Sequence, residues 1–378
     1  MSDRIGLATI GAGGIFQGSH MPQYLKIPEV DFIGIYDVNE NQCMAALKKF
    51  EDRRAEAMGE ESRSEPLPKI YGSVDEIIKD EEVVMVDVCS PPFARDMIPD
   101  LLRAGKNVCA EKPMTRNYLE AMPIVEAAKE SGSLYQHNEN WCYDGYRYTL
   151  QKLIRHDLGV PFVGMHSEGH GGPEGREWFW DPELGGGGTL LDNGIHPITG
   201  SWFLLGFDEW KPTRVKAVKL GIKYPFRMIG GFYQQAKVED HAHVKIIYEN
   251  TTGDVSMALV EASWSWTYLK SFVQAEKGSA HAEGGEIVMD LYGFGERRIG
   301  VPGINGTWGE LNNFAQCILR KKPSLTNEEI GLESMAIVGA SYLSKLKGRT
   351  VTIDEFKEWA EEIGDHNKLR RQMLKACA

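Results

Sequence analysis

No stretch of roughly 18 or more consecutive apolar residues occurs among the 378 residues, so nothing in the sequence reads as a bilayer-spanning helix. A basic tract is also missing. Asp and Glu outnumber Lys and Arg by 54 to 42, for a net charge of -12. Nucleic acid and anionic membrane surfaces recruit clustered cations, so neither is an expected partner. The six cysteines (Cys43, Cys89, Cys109, Cys142, Cys317 and Cys377) show no CxxC spacing. Cys89 and Cys109 sit inside apolar strand-like runs, where a thiol behaves as a small hydrophobe. No internal repeat and no low-complexity segment is present. Met1-Ser2-Asp3-Arg4 leads straight into an apolar strand, without the longer apolar region and small-residue cleavage site of a signal peptide. A cytoplasmic protein with free thiols is the expectation.

What is present is the composition of a globular chain, with 42% hydrophobic and 25% charged residues. The length exceeds one typical core. Two domains are expected, at 1–140 and 141–350, with 351–378 as a C-terminal helix. Over the first third, strands at 4–10, 30–36, 69–71, 83–89 and 107–110 alternate with helices at about 15–25, 41–58, 73–79 and 119–131. Ser73 with Glu76 three residues on reads as a helix cap. The continuous apolar run 83–89 suits a strand buried on both faces, and the alternation predicts a doubly wound parallel sheet. From about Tyr143 the pattern changes to period-2 segments at 214–219, 242–248, 255–264 and 270–275, which read as antiparallel hairpins. Helices at 309–319, 327–346 and 355–377 follow.

Gly11-Ala12-Gly13-Gly14-Ile15-Phe16 lies between a predicted strand and a predicted helix. Glycine there lets the backbone approach a pyrophosphate, and the helix N-terminus offers free N–H groups. Phe16 stands where GxGxxG has its third glycine. Asp37 ends the second strand about 25 residues further on, where a carboxylate can accept ribose hydroxyls; a simple helix cap is the alternative. Val38-Asn39-Glu40-Asn41 supplies no cation for a 2′-phosphate, which favours NAD over NADP. Ser90-Pro91-Pro92 stops the next strand and fixes a loop at its carboxyl end, where open α/β sheets bind ligands.

Glu111-Lys112-Pro113 follows the strand 107–110. A lysine beside a cofactor crevice can have its pKa lowered by desolvation and take part in proton transfer; a surface lysine opening a loop is the plain alternative. The run Gly185-Gly186-Gly187-Gly188-Thr189-Leu190-Leu191-Asp192-Asn193-Gly194-Ile195-His196 puts Asp192 and His196 four apart, on one face of a helical turn. Pro197 lacks the N–H of the next turn, so the helix there is kinked or restarted.

Taken in order, these motifs resemble the Gfo/Idh/MocA family, the glucose-fructose oxidoreductase, inositol dehydrogenase and rhizopine-catabolism group. The resemblance extends along nearly the whole chain, through Glu328-Glu329-Ile330-Gly331-Leu332 and Ala340-Ser341-Tyr342. It implies an α/β architecture: a Rossmann domain plus an α/β domain with a large, open, mostly antiparallel sheet, often used for oligomerisation. It also implies NAD as cofactor, with Lys112, Asp192 and His196 as the catalytic residues. Gly11, Gly13, Gly14, Ile15, Phe16, Asp37, Ser90, Pro91, Pro92, Glu111, Lys112, Asn138 and Asn140 are the candidate cofactor contacts. The implied reaction is hydride transfer from a carbon bearing a hydroxyl, with His196 taking the hydroxyl proton.

Substrate residues are less legible. Asn138-Glu139-Asn140-Trp141 offers amides, which suit neutral hydroxyls better than a carboxylate or phosphate; a polar crossover between domains is the alternative. His170, Trp178 and Trp180 precede the glycine run, where aromatic faces can stack on a sugar or simply pack the sheet or a subunit interface. His241 and His243 share one face of a strand, but no third ligand is evident, and no metal is expected. The expected activity is NAD-dependent oxidation of a secondary hydroxyl of a sugar, cyclitol or glycoside, with carbon 3 of a glucoside as the sharper form. A glycosidase working through transient oxidation at carbon 3, and a non-catalytic NAD-binding regulator, are the competing readings.

Overall fold

The computed structural model describes residues 4–265 and 268–377. The chain forms two compact units, one of Met1–Met114, Pro123–Asn140 and Asn305–Gly331, the other of Thr115–Met122, Trp141–Ile304 and Leu332–Ala378.

The first unit holds six strands: β1 (Ile5–Ile10), β2 (Val30–Tyr36), β3 (Lys69–Ile70), β4 (Met85–Val88), β5 (Asn107–Glu111) and β6 (Tyr135–Asn138). All pair in parallel, in the order β3-β2-β1-β4-β5-β6. This is the doubly wound Rossmann order, with its reversal between β1 and β4. Every residue of β4 is buried, its apolar residues joined by the buried Asp87. Asn39 caps the helix Glu40–Met58 by accepting the Asn41 N–H at 3.2 Å, and Ser73 caps Val74–Lys79 by accepting the Glu76 N–H at 3.3 Å.

Residues 305–331 join this first unit although sequence order alone puts them in the second. Leu311, Phe314 and Ala315 of the helix Gly306–Arg320 are buried in one core with Phe16, Ile35, Leu47 and Phe50. Burial of each large side chain there contributes roughly 1.5–3 kcal/mol.

The second unit is built on a nine-stranded sheet, supplemented by the hairpin β9 (Phe226–Ile229) and β10 (Phe232–Gln235). Its members are β7 (Pro161–Gly169), β8 (Trp210–Gly221), β11 (His241–Asn250), β12 (Val255–Ser263), β13 (Tyr268–Ala275), β14 (Gly278–Glu283), β15 (Glu286–Leu291), β16 (Gly295–Gly300) and β17 (Val351–Thr352). They run in the order β16-β15-β14-β13-β7-β12-β11-β8-β17, antiparallel except for the β7–β12 pair. The family-like expectation of an open, mostly antiparallel sheet is met. Strands β14 to β16 were not evident beforehand because glycines and charges interrupt their alternation. The expected terminal helix 355–377 is two helices, Ile353–Ile363 and His366–Leu374. Gly364 stops the first with φ of +63°, and Asp365 caps the second by accepting the Lys368 N–H.

Candidate active site

At the strand-order reversal of the first unit, Gly11 follows β1 with φ of +96°. A Cβ on Gly11 would lie 2.7 Å from the Ser90 nitrogen, so only glycine lets these two loops meet. A Cβ on Gly13 would meet nothing within 4 Å, leaving the backbone accessible on that side. Gly14 and Ile15 are exposed and begin the helix that runs through 14–24. Phe16 is different. Its side chain is fully buried, 5.3 Å from the Phe32 ring, so it serves the core and only its backbone faces the glycine loop. The helix widens to a π-type turn over Phe16–His20, an irregularity common at functional positions.

Asp37 accepts the Ala12 N–H at 2.8 Å through one oxygen and the Asn39 N–H at 2.9 Å through the other. It therefore joins the end of β2 to the glycine loop, while the helix cap is Asn39. The Ser90 hydroxyl donates to the Ala94 carbonyl at 2.8 Å, and Pro91 and Pro92 lead into a short turn, Pro92–Ala94.

Arg95, which sequence reasoning missed, organises this edge. It is 3% exposed, and its guanidinium donates to the Ser90 carbonyl at 2.7 and 2.9 Å and to the carbonyls of Glu111 and Pro113. Lys112 is thereby clamped on both sides through its neighbours' carbonyls, and the Lys112–Pro113 peptide is cis. Glu111 turns inward: its carboxylate accepts from His20 Nε2 at 2.9 Å, while His20 Nδ1 meets Asp87 at 2.8 Å. Burial by itself lowers the His20 pKa, but Asp87 and Cys89 outweigh it and hold the ring well above 6.5. Burial likewise opposes ionisation of Glu111, yet the His20 hydrogen bond and charge, with Lys112 and Arg95, bring it down to about 2. Glu310, 1% exposed, is pushed well up by burial and by the Glu111 charge.

Asn138 ends β6 opposite Glu111. Its carbonyl accepts the Gln136 amide at 2.9 Å, but its buried Nδ2 has no hydrogen-bond partner. A buried amide donor left over at the carboxyl edge of a Rossmann sheet fits a carboxamide acceptor. With the accessible Gly13 backbone and the tethered Asp37 carboxylate, it makes these residues suited to NAD. Asn140 opens the turn Asn140–Cys142.

In the second unit, the glycine run is shaped by Glu239, also missed beforehand. Its buried carboxylate accepts the N–H groups of Gly188 at 3.0 Å and Leu190 at 3.1 Å and the Tyr342 hydroxyl at 2.7 Å. These bonds anchor the short helix Thr189–Asp192. Chain direction stays helical through Asn193 and Gly194 into Ile195–Leu205, but the hydrogen bonding breaks: His196 donates to Asn193 at 3.2 Å in place of the absent Pro197 N–H. Asp192 accepts Trp264 Nε1 at 3.0 Å and lies 3.6 Å from His170 Nε2. His196 stacks over Trp141 at 6.1 Å with the planes 17° apart. Trp178 is half-buried and stacked on Phe179 at 3.7 Å. Trp180 is 3% exposed and packs on Trp264 at 4.7 Å. It is a core residue, correcting its assignment as a sugar-stacking face.

Family models match both parts of the chain: the Gfo/Idh/MocA oxidoreductase family, NAD-binding Rossmann fold, over residues 5–139, and the Gfo/Idh/MocA C-terminal domain over residues 149–289. The chain belongs to this family. It is an NAD-dependent oxidoreductase. Among family relatives, dehydrogenase FPY6 of Fusarium mangiferae is 22% identical over 84% of this chain and 90% of its own. Glucose-6-phosphate 3-dehydrogenase of Bacillus subtilis is 26% identical over 53% of this chain, which spans about half (54%) of that relative. The fold is shared with aldose-aldose oxidoreductase of Caulobacter crescentus, with a TM-score of 0.77 at 21% identity, covering 92% of this chain and 99% of the other. Among the described residues, no helix of this family member is long and apolar enough to cross a membrane.

Proposed function

We propose that this enzyme oxidises a secondary hydroxyl of a sugar, cyclitol or glycoside to a ketone, with carbon 3 of a glucoside as the favoured position. The observation that carries the reading is the fixed carboxylate of Asp192, held by Trp264, on the helical turn that leads to His196. A tethered acid beside a half-buried imidazole and indole surfaces suits a neutral, ring-shaped polyol. In this reading His196 removes the hydroxyl proton, Lys112 holds the same oxygen, and Asp192 anchors a neighbouring hydroxyl. NAD, when bound, accepts the hydride. Gly11, Gly13, Gly14 and Asp37 hold the dinucleotide, with Ile15 and Phe16 contributing backbone only. Ser90, Pro91 and Pro92 border it, Glu111 positions Lys112, and Asn138 and Asn140 meet the carboxamide end. His170 and Trp178 line the sugar.

The relative that oxidises carbon 3 of glucose 6-phosphate supports the choice of carbon. The stretch Asn138-Glu139-Asn140-Trp141 carries no cation, which favours an uncharged substrate over a phosphorylated one. Alternating exposed side chains on the second sheet, among them Met165, Val255 and Leu259, support a homo-oligomer. Cys43, Cys89, Cys109, Cys317 and Cys377, none of them in a disulfide, support a cytoplasmic setting.

The test is a panel of polyols, free aldoses, methyl glucosides and glucose 6-phosphate, assayed for NADH with product structure read by NMR. NADH with a 3-keto glucoside is expected. Glycosidic cleavage without net NADH would replace the dehydrogenase reading with the glycosidase one, and a preference for glucose 6-phosphate would overturn the neutral-substrate assignment.

A further inference from the structure

His241 and His243 alternate along β11, so both rings project from one face of the sheet. The helix Ile195–Leu205 packs on the opposite face, where Tyr248 meets Ser201 at 2.9 Å between hydroxyl oxygens. What the sequence could not show is the cross-strand partner. In the β11–β12 register His243 stands opposite Glu261, eighteen residues further along the chain. The two imidazoles meet tip to tip, Nε2 to Nε2 at 2.8 Å, and Glu261 Oε1 lies 3.8 Å from His243 Nε2. All three ligand atoms lie within 4.8 Å of one another.

We propose that His241, His243 and Glu261 form a binding site for a divalent transition-metal ion of the Zn²⁺ class, on the sheet face away from the Asp192–His196 turn. Two imidazoles stacked for packing would present their faces; here the rings are inclined at 69° and converge through nitrogen. Zinc bonds of about 2.0–2.1 Å to nitrogen and oxygen require ligand atoms roughly 3.3 Å apart in a tetrahedron, so small rotamer adjustments bring these three into place. The donor set, two imidazoles and one carboxylate, selects zinc, nickel or copper rather than magnesium or calcium. His241 is 4% exposed and supplies a rigid floor. The His243 and Glu261 side chains are 41% and 19% exposed, so water can enter as the fourth ligand. Lys219, opposite His243, and Lys223 add positive charge near His241, and Asp240 offsets it. Placed behind the catalytic helix, the ion would tie β11 to β12 and take no part in the reaction.

The test uses the full chain, without an affinity tag and freed of metal by chelator dialysis. Zn²⁺ alone is titrated by calorimetry, and Co²⁺ by absorption. One equivalent per chain, a raised Tm and a tetrahedral Co²⁺ spectrum without a thiolate band are expected. His243→Ala and the shape-conserving Glu261→Gln should each weaken binding at least about tenfold while leaving the rate of NADH formation unchanged. No bound equivalent, a thiolate band pointing to the His20–Asp87–Cys89 cluster, or undiminished binding in folded Glu261→Gln each overturn the assignment.

Discussion

Glu239 and Gly188 are in direct backbone contact: both Glu239 carboxylate oxygens lie 3.0 Å from the Gly188 nitrogen, and a Cβ on Gly188 would fall 1.9 Å from the Glu239 carbonyl oxygen. The glycine run is therefore a close-approach element that seats the Asp192 helix on a buried carboxylate. Glu239→Ala strips partners from two backbone N–H groups and the Tyr342 hydroxyl. Each buried donor left unsatisfied costs about 1–3 kcal/mol. Urea unfolding should show a loss of several kcal/mol, and Gly188→Ala should be worse tolerated than Gly187→Ala, whose new Cβ meets the Tyr342 hydroxyl, a side-chain atom, and not backbone.

Cofactor choice rests on Asp37. Asp37→Ser removes the carboxylate proposed to accept the ribose hydroxyls, and NAD affinity by calorimetry should fall at least about tenfold, or about 1.4 kcal/mol. NADP affinity should rise relative to NAD. An unaltered NAD/NADP ratio would leave Asp37 as merely the tie between β2 and the glycine loop.

The His20–Glu111 pair gives the first unit a bounded pH range. Glu111 has a folded pKa near 2, below its ordinary 4.5, so its contribution is present above 4.5 and lost as pH falls toward 2. His20 is held above 6.5, so its contribution is complete below 6.5 and drains away as pH rises through the higher folded value. The difference in Tm between wild type and His20→Gln should be largest between pH 4.5 and 6.5 and shrink on both sides. Parallel curves would show that the pair carries no charge of this kind.

Arg95 holds the Lys112 segment through the Glu111 and Pro113 carbonyls. Arg95→Lys cannot reproduce a planar fork reaching Ser90, Glu111 and Pro113, so kcat should fall while the protein still folds. Arg95→Leu leaves those carbonyls buried and unpaired and should unfold at markedly lower urea. Equal kcat in wild type and Arg95→Lys would remove the positioning role.

The sheet of the first unit was legible because β1, β2, β4 and β5 are local apolar runs, and Gly11, Asp37 and Glu111-Lys112-Pro113 fall at their ends. Residues acting across long separations were not. Arg95 and Glu239 look like ordinary surface charges in sequence, and nothing local says that one binds carbonyls and the other amides in a dry interior. Glu261 was hidden for the same reason, since register between strands decides its neighbour. Trp180 stayed open between a sugar face and packing because an aromatic next to a motif carries no mark of which way it points; it packs. An interruption at Pro197 was expected, as a missing N–H is a local property, but the helix restarts at Ile195, two residues earlier, with Pro197 in its first turn.

The central claim is hydride removal from a hydroxyl-bearing sugar carbon with Lys112, Asp192 and His196 in attendance. It is tested most directly with methyl glucoside deuterated at carbon 3, by mass spectrometry of the NADH formed. Deuterium should appear in NADH from the wild type, and its rate of appearance should fall by roughly 10²- to 10⁴-fold in Lys112→Ala and in His196→Asn, each retaining NAD affinity. NADH without deuterium, or undiminished transfer in both variants, would contradict the account.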